Sequence, residues 1–198
     1  MKISILSIFA AAALLVSCET KRSETKDQLV EAGQDTAVMA RDSRTATAVV
    51  GDTWDMTKAK LNDVKFKEIT SASVSVRGDS VYNIYSVEET VLFDTDKAEI
   101  KPGAAEALQQ ITGSIGQRYG TSQVRVMGFA DSRGDKSYNR ELSEQRAEAV
   151  KNYLVSTGKI EAARMSVEPM GEAMPVATNA TATGRQENRR VEIAVRAR

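Results

Sequence analysis

The sequence predicts an α+β domain in which a mixed β-sheet carries its helices on one face. Two observations support this: amphipathic helical stretches begin near residues 102 and 137, and short apolar strands flank them in the order β-α-β-α-β-β. Strands joined in this way lie in one sheet, and the final pair of strands makes that sheet mixed. Aromatic residues make up only 5% of the chain, so the core must consist mainly of aliphatic side chains and methionine.

The first strand and helix of this unit occupy residues 90–116. Thr90–Phe93 is an apolar run that predicts a strand, and the polar residues 94–97 predict a turn after it. A helix starts near Pro102, because proline is favoured in a first helical turn. Its apolar positions follow helical spacing and are expected to face the sheet: Ala104, Leu108, Ile111 and Ile115.

The remaining elements follow in the second half of the chain. A strand at Val124–Ala130 leads into an amphipathic helix over about Ser137–Ser156. Two further strands are predicted at Met165–Met170 and Val191–Val195. The residues between them, 171–187, are rich in Ala, Thr, Asn, Gly and Pro and predict a loop.

Residues 49–87 predict a short helix followed by a β-hairpin, ahead of the main domain at 88–198. The helix is predicted within Gly51–Lys67, Trp54 is among its apolar residues, and it is expected to pack onto another element. The hairpin covers Val74–Val87, and Arg-Gly-Asp-Ser at 77–80 fits its turn. Arg-Gly-Asp also invites an adhesion interpretation, but turn chemistry explains the triplet more simply.

Residues 1–17 have the pattern of a secretory signal, and the residues at its end make it resemble the signal peptide of a bacterial lipoprotein. Lys2 precedes an apolar run of 14 residues, Ile3–Val16, which is shorter than the roughly 20 residues that a membrane-spanning helix needs. Cys18 ends Leu-Val-Ser-Cys, which resembles a lipobox, so Cys18 is the predicted lipidation site. An ordinary secretory signal would leave this thiol unpaired in an oxidising compartment. The polar stretch 18–48 is the predicted flexible tether.

Composition excludes several classes of function. Lys and Arg number 27 against 27 Asp and Glu, a balance that argues against a sequence-independent nucleic-acid binder. The absence of histidine removes the usual general base and the commonest zinc ligand, and the single cysteine excludes an internal disulfide. Asp94 and Asp96 alone are weak evidence for a metal site, so no metal, cofactor or catalytic residue is predicted.

Asp131 and Arg146 are the two charged residues with the most informative positions. Asp131 ends a strand, whereas Arg146 lies four residues from both Leu142 and Val150, inside the apolar stripe of the next helix. A charge in a core position usually has a partner or a function. Aspartate accepts from an ammonium group and the guanidinium fork suits a carboxylate, so the pair could bind a zwitterionic amino-acid terminus. From these residues alone, a structural salt bridge between the two is the simpler alternative.

The chain from Thr90 to Val195 resembles the OmpA-like peptidoglycan-binding domain, a family that includes peptidoglycan-associated lipoprotein. The matching fragments are short, but they occur in the order of the family and extend over more than half of the chain. They are Val91-Leu92-Phe93-Asp94-Thr95-Asp96-Lys97 with Ile100, Gly128-Phe129-Ala130-Asp131, Gly134, Asn139, Leu142-Ser143, Arg146-Ala147, Gly171 with Pro175, and Asn188-Arg189-Arg190-Val191. Phe129 is a minor departure, since the family often has His or Tyr there.

The resemblance implies non-covalent binding of the peptidoglycan stem peptide through its diaminopimelate residue. In the family, the aspartate at the position of Asp131 takes the ammonium group, and the arginine at the position of Arg146 takes the carboxylate. Four further residues match positions that line or brace the pocket: Asn139, Thr95, Asp96 and Arg189. Alternation along the strand allows only one of the two neighbouring arginines, 189 and 190, to face that pocket.

Together these features predict an outer-membrane lipoprotein with a periplasmic domain that links the membrane to the cell wall and is not an enzyme. Three alternatives remain: an enzyme acting on the wall, which would have to use carboxylates; a surface adhesin using residues 77–79; and an ion-driven stator subunit, which needs a second apolar run after Val16 that the sequence lacks. The sequence leaves open whether the protein also binds a second copy of itself or other envelope proteins.

Overall fold

The computed structural model describes residues 54–56 and 58–197, which form one six-stranded sheet with helices. The strands are β1 (Asn62–Asp63), β2 (Val74–Gly78), β3 (Tyr82–Glu88), β4 (Val124–Phe129), β5 (Met165–Gly171) and β6 (Arg190–Arg196). The helices are α1 (Glu89–Leu92), α2 (Ala105–Arg118), α3 (Lys136–Ser156) and α4 (Ala182–Asn188). All of these elements belong to the compact unit Gly51–Arg198. The predicted signal peptide, lipidated Cys18 and tether lie outside the described residues.

The sheet has the strand order β1-β2-β3-β6-β4-β5, which confirms the predicted mixed α+β architecture. The β4–β5 pair is parallel, and the other neighbouring pairs are antiparallel. Strand β3 pairs with β6 along its whole length, from Tyr82 opposite Arg196 to Glu88 opposite Arg190. The predicted N-terminal extension at 49–87 therefore supplies a central strand of the same sheet that carries the predicted 88–198 domain.

Both long helices pack on one face of the sheet, as predicted. Alternating strand residues face them, including Val126 and Ile193, and the predicted stripe of α2 is fully buried there. The opposite face carries a smaller apolar cluster of Ile84, Met127, Phe129 and Ala194, covered in part by Trp54, Met56 and Leu61. Because successive side chains of a strand point to opposite faces, neighbouring polar residues at a strand end also lie on opposite faces of the sheet.

The predicted strand at Thr90–Phe93 is wrong. Glu89–Leu92 forms helix α1, and Phe93 makes only an isolated antiparallel bridge to Ile100. Strand β6 already has a neighbour on each side, β3 and β4, so this run finds no free partner beside it. The helical turn still buries Leu92 and Phe93, and an apolar run this short does not distinguish a strand from a buried turn of helix.

The predicted short helix within Gly51–Lys67 is also wrong for the part that the structure describes. The regular element in that part is the two-residue strand β1. Trp54 stacks on Tyr82 of β3, with 5.7 Å between the ring centroids, and the guanidinium of Arg125 lies 4.8 Å from the Trp54 ring centroid. The expectation that these apolar residues pack onto another element is confirmed, although no helix forms in the described part of this segment.

The predicted loop at 171–187 contains helix α4, which the sequence pattern did not indicate. The side chain of Thr181 caps this helix by accepting a hydrogen bond from the backbone N–H of Gly184 at 3.1 Å. Its sequence, Ala-Thr-Gly-Arg-Gln-Glu-Asn, has no apolar stripe, so hydrophobic periodicity carries no information there.

Glu68 ties the segment before β2 to helix α2. Its carboxylate lies 2.5 Å from Nε of Arg118 and accepts a hydrogen bond from the Ser114 hydroxyl at 2.7 Å. The Ser114 oxygen is in turn 2.8 Å from the buried hydroxyl of Tyr85. The Arg118 guanidinium, assisted by Ser114 and opposed by burial, lowers the pKa of Glu68 from 4.5 to about 2.

We expect Glu68→Gln to reduce the free energy of unfolding at pH 7 by about 1–2 kcal/mol, which is less than the full pKa shift implies because solvent screens Arg118, whose side chain is 37% exposed. A carboxyl group whose pKa is lower in the folded state stabilises the fold fully above its unfolded value, near 4.5, and loses that contribution as the pH falls toward 2. Urea unfolding should therefore show the gap between wild type and variant shrinking over this range. A gap that is constant from pH 7 to pH 2.5 would contradict the assignment.

Candidate functional site

An open cavity of 480 Å³ lies where strand β4 ends and helix α3 begins, beside the end of β3 and the start of β6. The structure brings all six predicted pocket residues to its wall: Thr95, Asp96, Asp131, Asn139, Arg146 and Arg189. The wall also contains Glu89, Thr90, Phe93, Ala130, Arg133, Gly134, Tyr138 and Leu142. The sequence prediction did not name Glu89, Arg133 or Tyr138 as site residues.

Asp131 presents a nearly buried carboxylate at the end of β4, with 7% of the residue exposed. One oxygen, Oδ1, accepts a hydrogen bond from the backbone N–H of Arg133 at 2.8 Å. The other, Oδ2, lies 2.6 Å from Nη1 of Arg189. These two contacts fix the direction of the carboxylate before any ligand arrives, since charge-assisted bonds of this kind are short and strong.

Arg146 projects from the buried face of α3 and is only 4% exposed. Its Nε donates to the backbone carbonyl of Lys97 at 2.9 Å, and its guanidinium carbon lies 5.3 Å from the ring centroid of Phe93. Its Nη2 is 2.5 Å from Oε1 of Glu89. The apolar stripe of α3 can contain this charge because two other parts of the chain supply its partners: the carbonyl of Lys97 in the turn before α2, and Glu89 in helix α1.

Glu89 links the two arginines of the cavity. Besides its contact with Arg146, its Oε2 lies 2.7 Å from Nε of Arg189, so the charges alternate from Asp131 to Arg189 to Glu89 to Arg146. The contacts of Oε2 and of Arg146 Nη2 are ionic, because neither atom has hydrogen-bonding angles to its neighbour. The direct Asp131–Arg146 salt bridge considered from sequence is wrong: in the described chain each pairs with another residue.

Asn139 braces the loop that follows β4. Its Nδ2 donates to the backbone carbonyls of Asp131 at 3.2 Å and of Arg133 at 2.7 Å. Gly134 in this loop has a φ of 87°, a conformation that strongly favours glycine. Asp135 then caps α3 by accepting from the backbone N–H groups of Ser137 and Tyr138. These hydrogen bonds lower the pKa of Asp135, with the Ser137 hydroxyl as the largest cause and the two backbone N–H groups as smaller ones.

Thr95 and Asp96 line the exposed rim of the cavity in a turn after Phe93. The backbone N–H of Lys97 donates to the carbonyl of Asp94 at 3.1 Å, which closes this turn as predicted. Asp96 has a φ of 55°, a conformation that aspartate tolerates better than most residues. Among the described residues no cluster of three or more potential metal ligands exists.

Arg189 and Arg190 point to opposite faces of the sheet, as strand alternation predicted. Arg189 lies in the cavity, whereas Arg190 packs 3.8 Å from the ring centroid of Phe129 and pairs with Glu192 at 2.7 Å. Glu192 also pairs with Arg77 at 3.0 Å. Only Arg189 of the two therefore belongs to the candidate site.

The Arg-Gly-Asp triplet at 77–79 is built into the hairpin. Arg77 is in β2 and pairs with Glu192, and Gly78 is buried. Oδ1 of Asp79 accepts from the backbone N–H groups of Val81 and Tyr82 at 2.7 and 2.8 Å, and these bonds lower the pKa of Asp79. A hairpin turn is thereby confirmed, but it begins at Asp79, because Arg77 and Gly78 belong to β2.

Residues 54–56 and 58–197 include no helix of the length and apolarity needed to cross a membrane.

The fold and the cavity define a small α+β binding domain with a fixed anion and a fixed cation in one pocket. The model of the OmpA family matches residues 92–189. A solved structure titled as the cell wall anchor of the T6SS from Pseudomonas aeruginosa is 32% identical, with a TM-score of 0.59, and the match covers 66% of this chain and 92% of that one. The chain belongs to the OmpA family, which confirms the resemblance seen in the sequence.

Curated relatives of the chain include two named as lipoproteins. The probable lipoprotein YiaD of Escherichia coli (strain K12) is 38% identical over 144 residues, which is 73% of this chain and 63% of YiaD. The outer-membrane lipoprotein YfiB of Pseudomonas aeruginosa is 36% identical over 111 residues, which is 56% of this chain and 65% of YfiB. The chain thus spans less than two thirds of the length of each of these relatives.

Proposed function

We propose that this protein is an outer-membrane lipoprotein that binds peptidoglycan non-covalently through the cavity between β4 and α3 and so links the membrane to the cell wall. The observation that carries the proposal is the placement of Asp131 and Arg146, both nearly buried, in the wall of one open cavity. Membership of the OmpA family, two relatives named as lipoproteins and a structural neighbour titled as a cell wall anchor support it.

The ligand group that suits this cavity is the free zwitterionic end of diaminopimelate in a peptidoglycan stem peptide. We assign the ammonium group of the ligand to Asp131, because a carboxylate offers only acceptors. Its carboxylate end is placed on Arg146, whose Nη1 makes no hydrogen bond within the described residues. Each charged contact contributes about 1.5–3 kcal/mol, so the single-site affinity is moderate.

Attachment to the membrane is assigned to lipid on Cys18. Each buried methylene of an acyl chain contributes about 0.8 kcal/mol, so two or three chains hold the protein firmly. The polar stretch 18–48 then serves as the tether, and a flexible chain of about 30 residues spans roughly 30 Å on average. Many tethered copies facing a repeating polymer raise the effective concentration, so that moderate single-site affinity suffices for a mechanical link.

Co-sedimentation of the full-length protein with purified sacculi in detergent tests this proposal. We expect most of the protein to pellet with sacculi whose stem peptides contain diaminopimelate, and free diaminopimelate tripeptide to release it. Sacculi that contain lysine at the same position are the matched control, because lysine keeps the ammonium group and lacks the terminal carboxyl group that would accept a hydrogen bond from Arg146. Equal pelleting with both kinds of wall would reject the assigned ligand, and release of soluble wall fragments would favour the enzyme alternative.

A further inference from the structure

Glu89 is a buried acid that the proposed ligand chemistry does not require. It is 8% exposed, lines the cavity, and holds its two oxygens against Arg146 and Arg189, at 2.5 and 2.7 Å. A diaminopimelate terminus needs one anion and one cation, and Asp131 with Arg146 already supplies both. A second carboxylate at the cation side must therefore change what that side attracts.

Glu89 already occupies two groups that a ligand carboxylate would seek, Nη2 of Arg146 and Nε of Arg189. Nη2 of Arg146 faces it, and Nε of the same guanidinium is used by the carbonyl of Lys97, so Nη1 is the part of Arg146 left for a ligand. The charged residues of the cavity wall balance, since Glu89, Asp96 and Asp131 oppose Arg133, Arg146 and Arg189. A ligand carboxylate on Nη1 is attracted by Arg146 and repelled by Glu89 a few ångströms away, in a partly enclosed site where both effects are strong.

A neutral carboxamide avoids that repulsion. Its carbonyl oxygen accepts from Nη1 of Arg146 as a carboxylate oxygen does, although a bond to a neutral acceptor is weaker than one to a charged acceptor. Amidation of the ligand therefore has two opposing effects on its affinity. It weakens the bond to Arg146, and it removes the repulsion by Glu89. The presence of Glu89 therefore reduces the advantage that an arginine pocket normally gives to the acid over the amide.

We propose that Glu89 is a specificity-determining residue of the cavity, which allows it to accept a stem peptide whose diaminopimelate terminus is amidated about as well as the free acid. This inference rests on the proposed function, because it concerns the same ligand group at the same site. It predicts a protein that binds both chemical forms of the wall, and it assigns this property to the side chain of Glu89 at the start of helix α1.

Isothermal titration of the full-length protein in detergent with two ligands tests this inference. The ligands are a diaminopimelate-containing tripeptide and the same tripeptide with a primary amide in place of the free terminal carboxylate. We expect the wild type to bind the two within about threefold of each other. In Glu89→Gln, which keeps the shape and removes the charge, we expect the preference for the acid to rise about tenfold, equivalent to about 1.4 kcal/mol.

The matched control is Glu68→Gln, which removes another carboxylate paired with an arginine but lies outside the cavity wall, and its ligand preference should equal that of the wild type. A wild-type preference for the acid greater than tenfold overturns the inference, even where Glu89→Gln does not fold. An equal loss of both ligands in Glu89→Gln also overturns it, because that result assigns Glu89 a purely structural role. Failure of both tripeptides to bind the wild type would instead reject the proposed function itself.

Discussion

Replacement of Asp131 by asparagine is expected to weaken binding to sacculi at least tenfold while the domain keeps its fold. Asparagine has the same shape and can still accept from the backbone N–H of Arg133, which Asp131 does at 2.8 Å. It lacks the charge that selects an ammonium group, and a hydrogen bond to a charged group is worth about 1.5–3 kcal/mol. That range corresponds to roughly a 10- to 150-fold loss of affinity.

Sedimentation at several protein concentrations measures this loss, and circular dichroism verifies the fold. Asp135→Asn is a matched control, since Asp135 is four residues away, does not line the cavity and caps α3, where asparagine serves as well as aspartate. Unchanged binding of Asp131→Asn, or an equal loss in both variants, would reject the assigned role of Asp131.

Arg146→Ala is the less informative variant of the cavity, and the structure explains why. Removal of the guanidinium leaves Glu89 buried with one of its two partners missing, and breaking a buried ion pair in this way costs about 3–5 kcal/mol. We therefore expect Arg146→Ala to lower the free energy of unfolding as well as the binding to sacculi. A loss of binding in Arg146→Ala alone mixes lost contact with lost stability, whereas Asp131→Asn separates the two.

The two long helices and the site residues they carry could be predicted because their information is local. The apolar positions of α2 recur at helical spacing, and Arg146 interrupts the same kind of stripe in α3, so the pattern itself marks it as unusual. Simple alternation at the start of strand β6 likewise predicts that Arg189 and Arg190 point in opposite directions. Each of these predictions needs only the residues of one element.

Glu89 could not be predicted because its role depends on two distant parts of the chain. Its partners are 57 and 100 residues away, at Arg146 and Arg189, and it enters the cavity only because Glu89–Leu92 turns as a helix. Residues 90–93, which follow Glu89, have strand-like side chains, but in the assembled sheet β3 and β4 already lie on the two sides of β6. A buried arginine indicates that an acid exists nearby, but not which one.

Gly128→Ala is expected to lower the free energy of unfolding by about 3 kcal/mol, a large effect for a single added methyl group. Gly128 faces α3, and a Cβ there would lie 2.1 Å from the backbone carbonyl oxygen of Ser143 and 2.8 Å from its carbonyl carbon. Backbone atoms cannot rotate away as a side chain does, so the whole helix must shift. The melting temperature should fall by roughly 6–12 °C in a domain of this size.

The same shift must also weaken sacculus binding, because Asp131 lies three residues after Gly128, just past the end of β4, and Arg146 lies three residues after Ser143 on α3. The matched control is Gly116→Ala on α2, where an added Cβ meets nothing within 4 Å and the variant should be neutral or more stable by up to about 1 kcal/mol. If Gly128→Ala matched Gly116→Ala in both stability and binding, the close approach of helix and strand would not set the spacing of the two charges. If stability fell and binding persisted, the cavity would tolerate a displaced helix, and the fixed geometry of Asp131 and Arg146 would not be what selects the ligand.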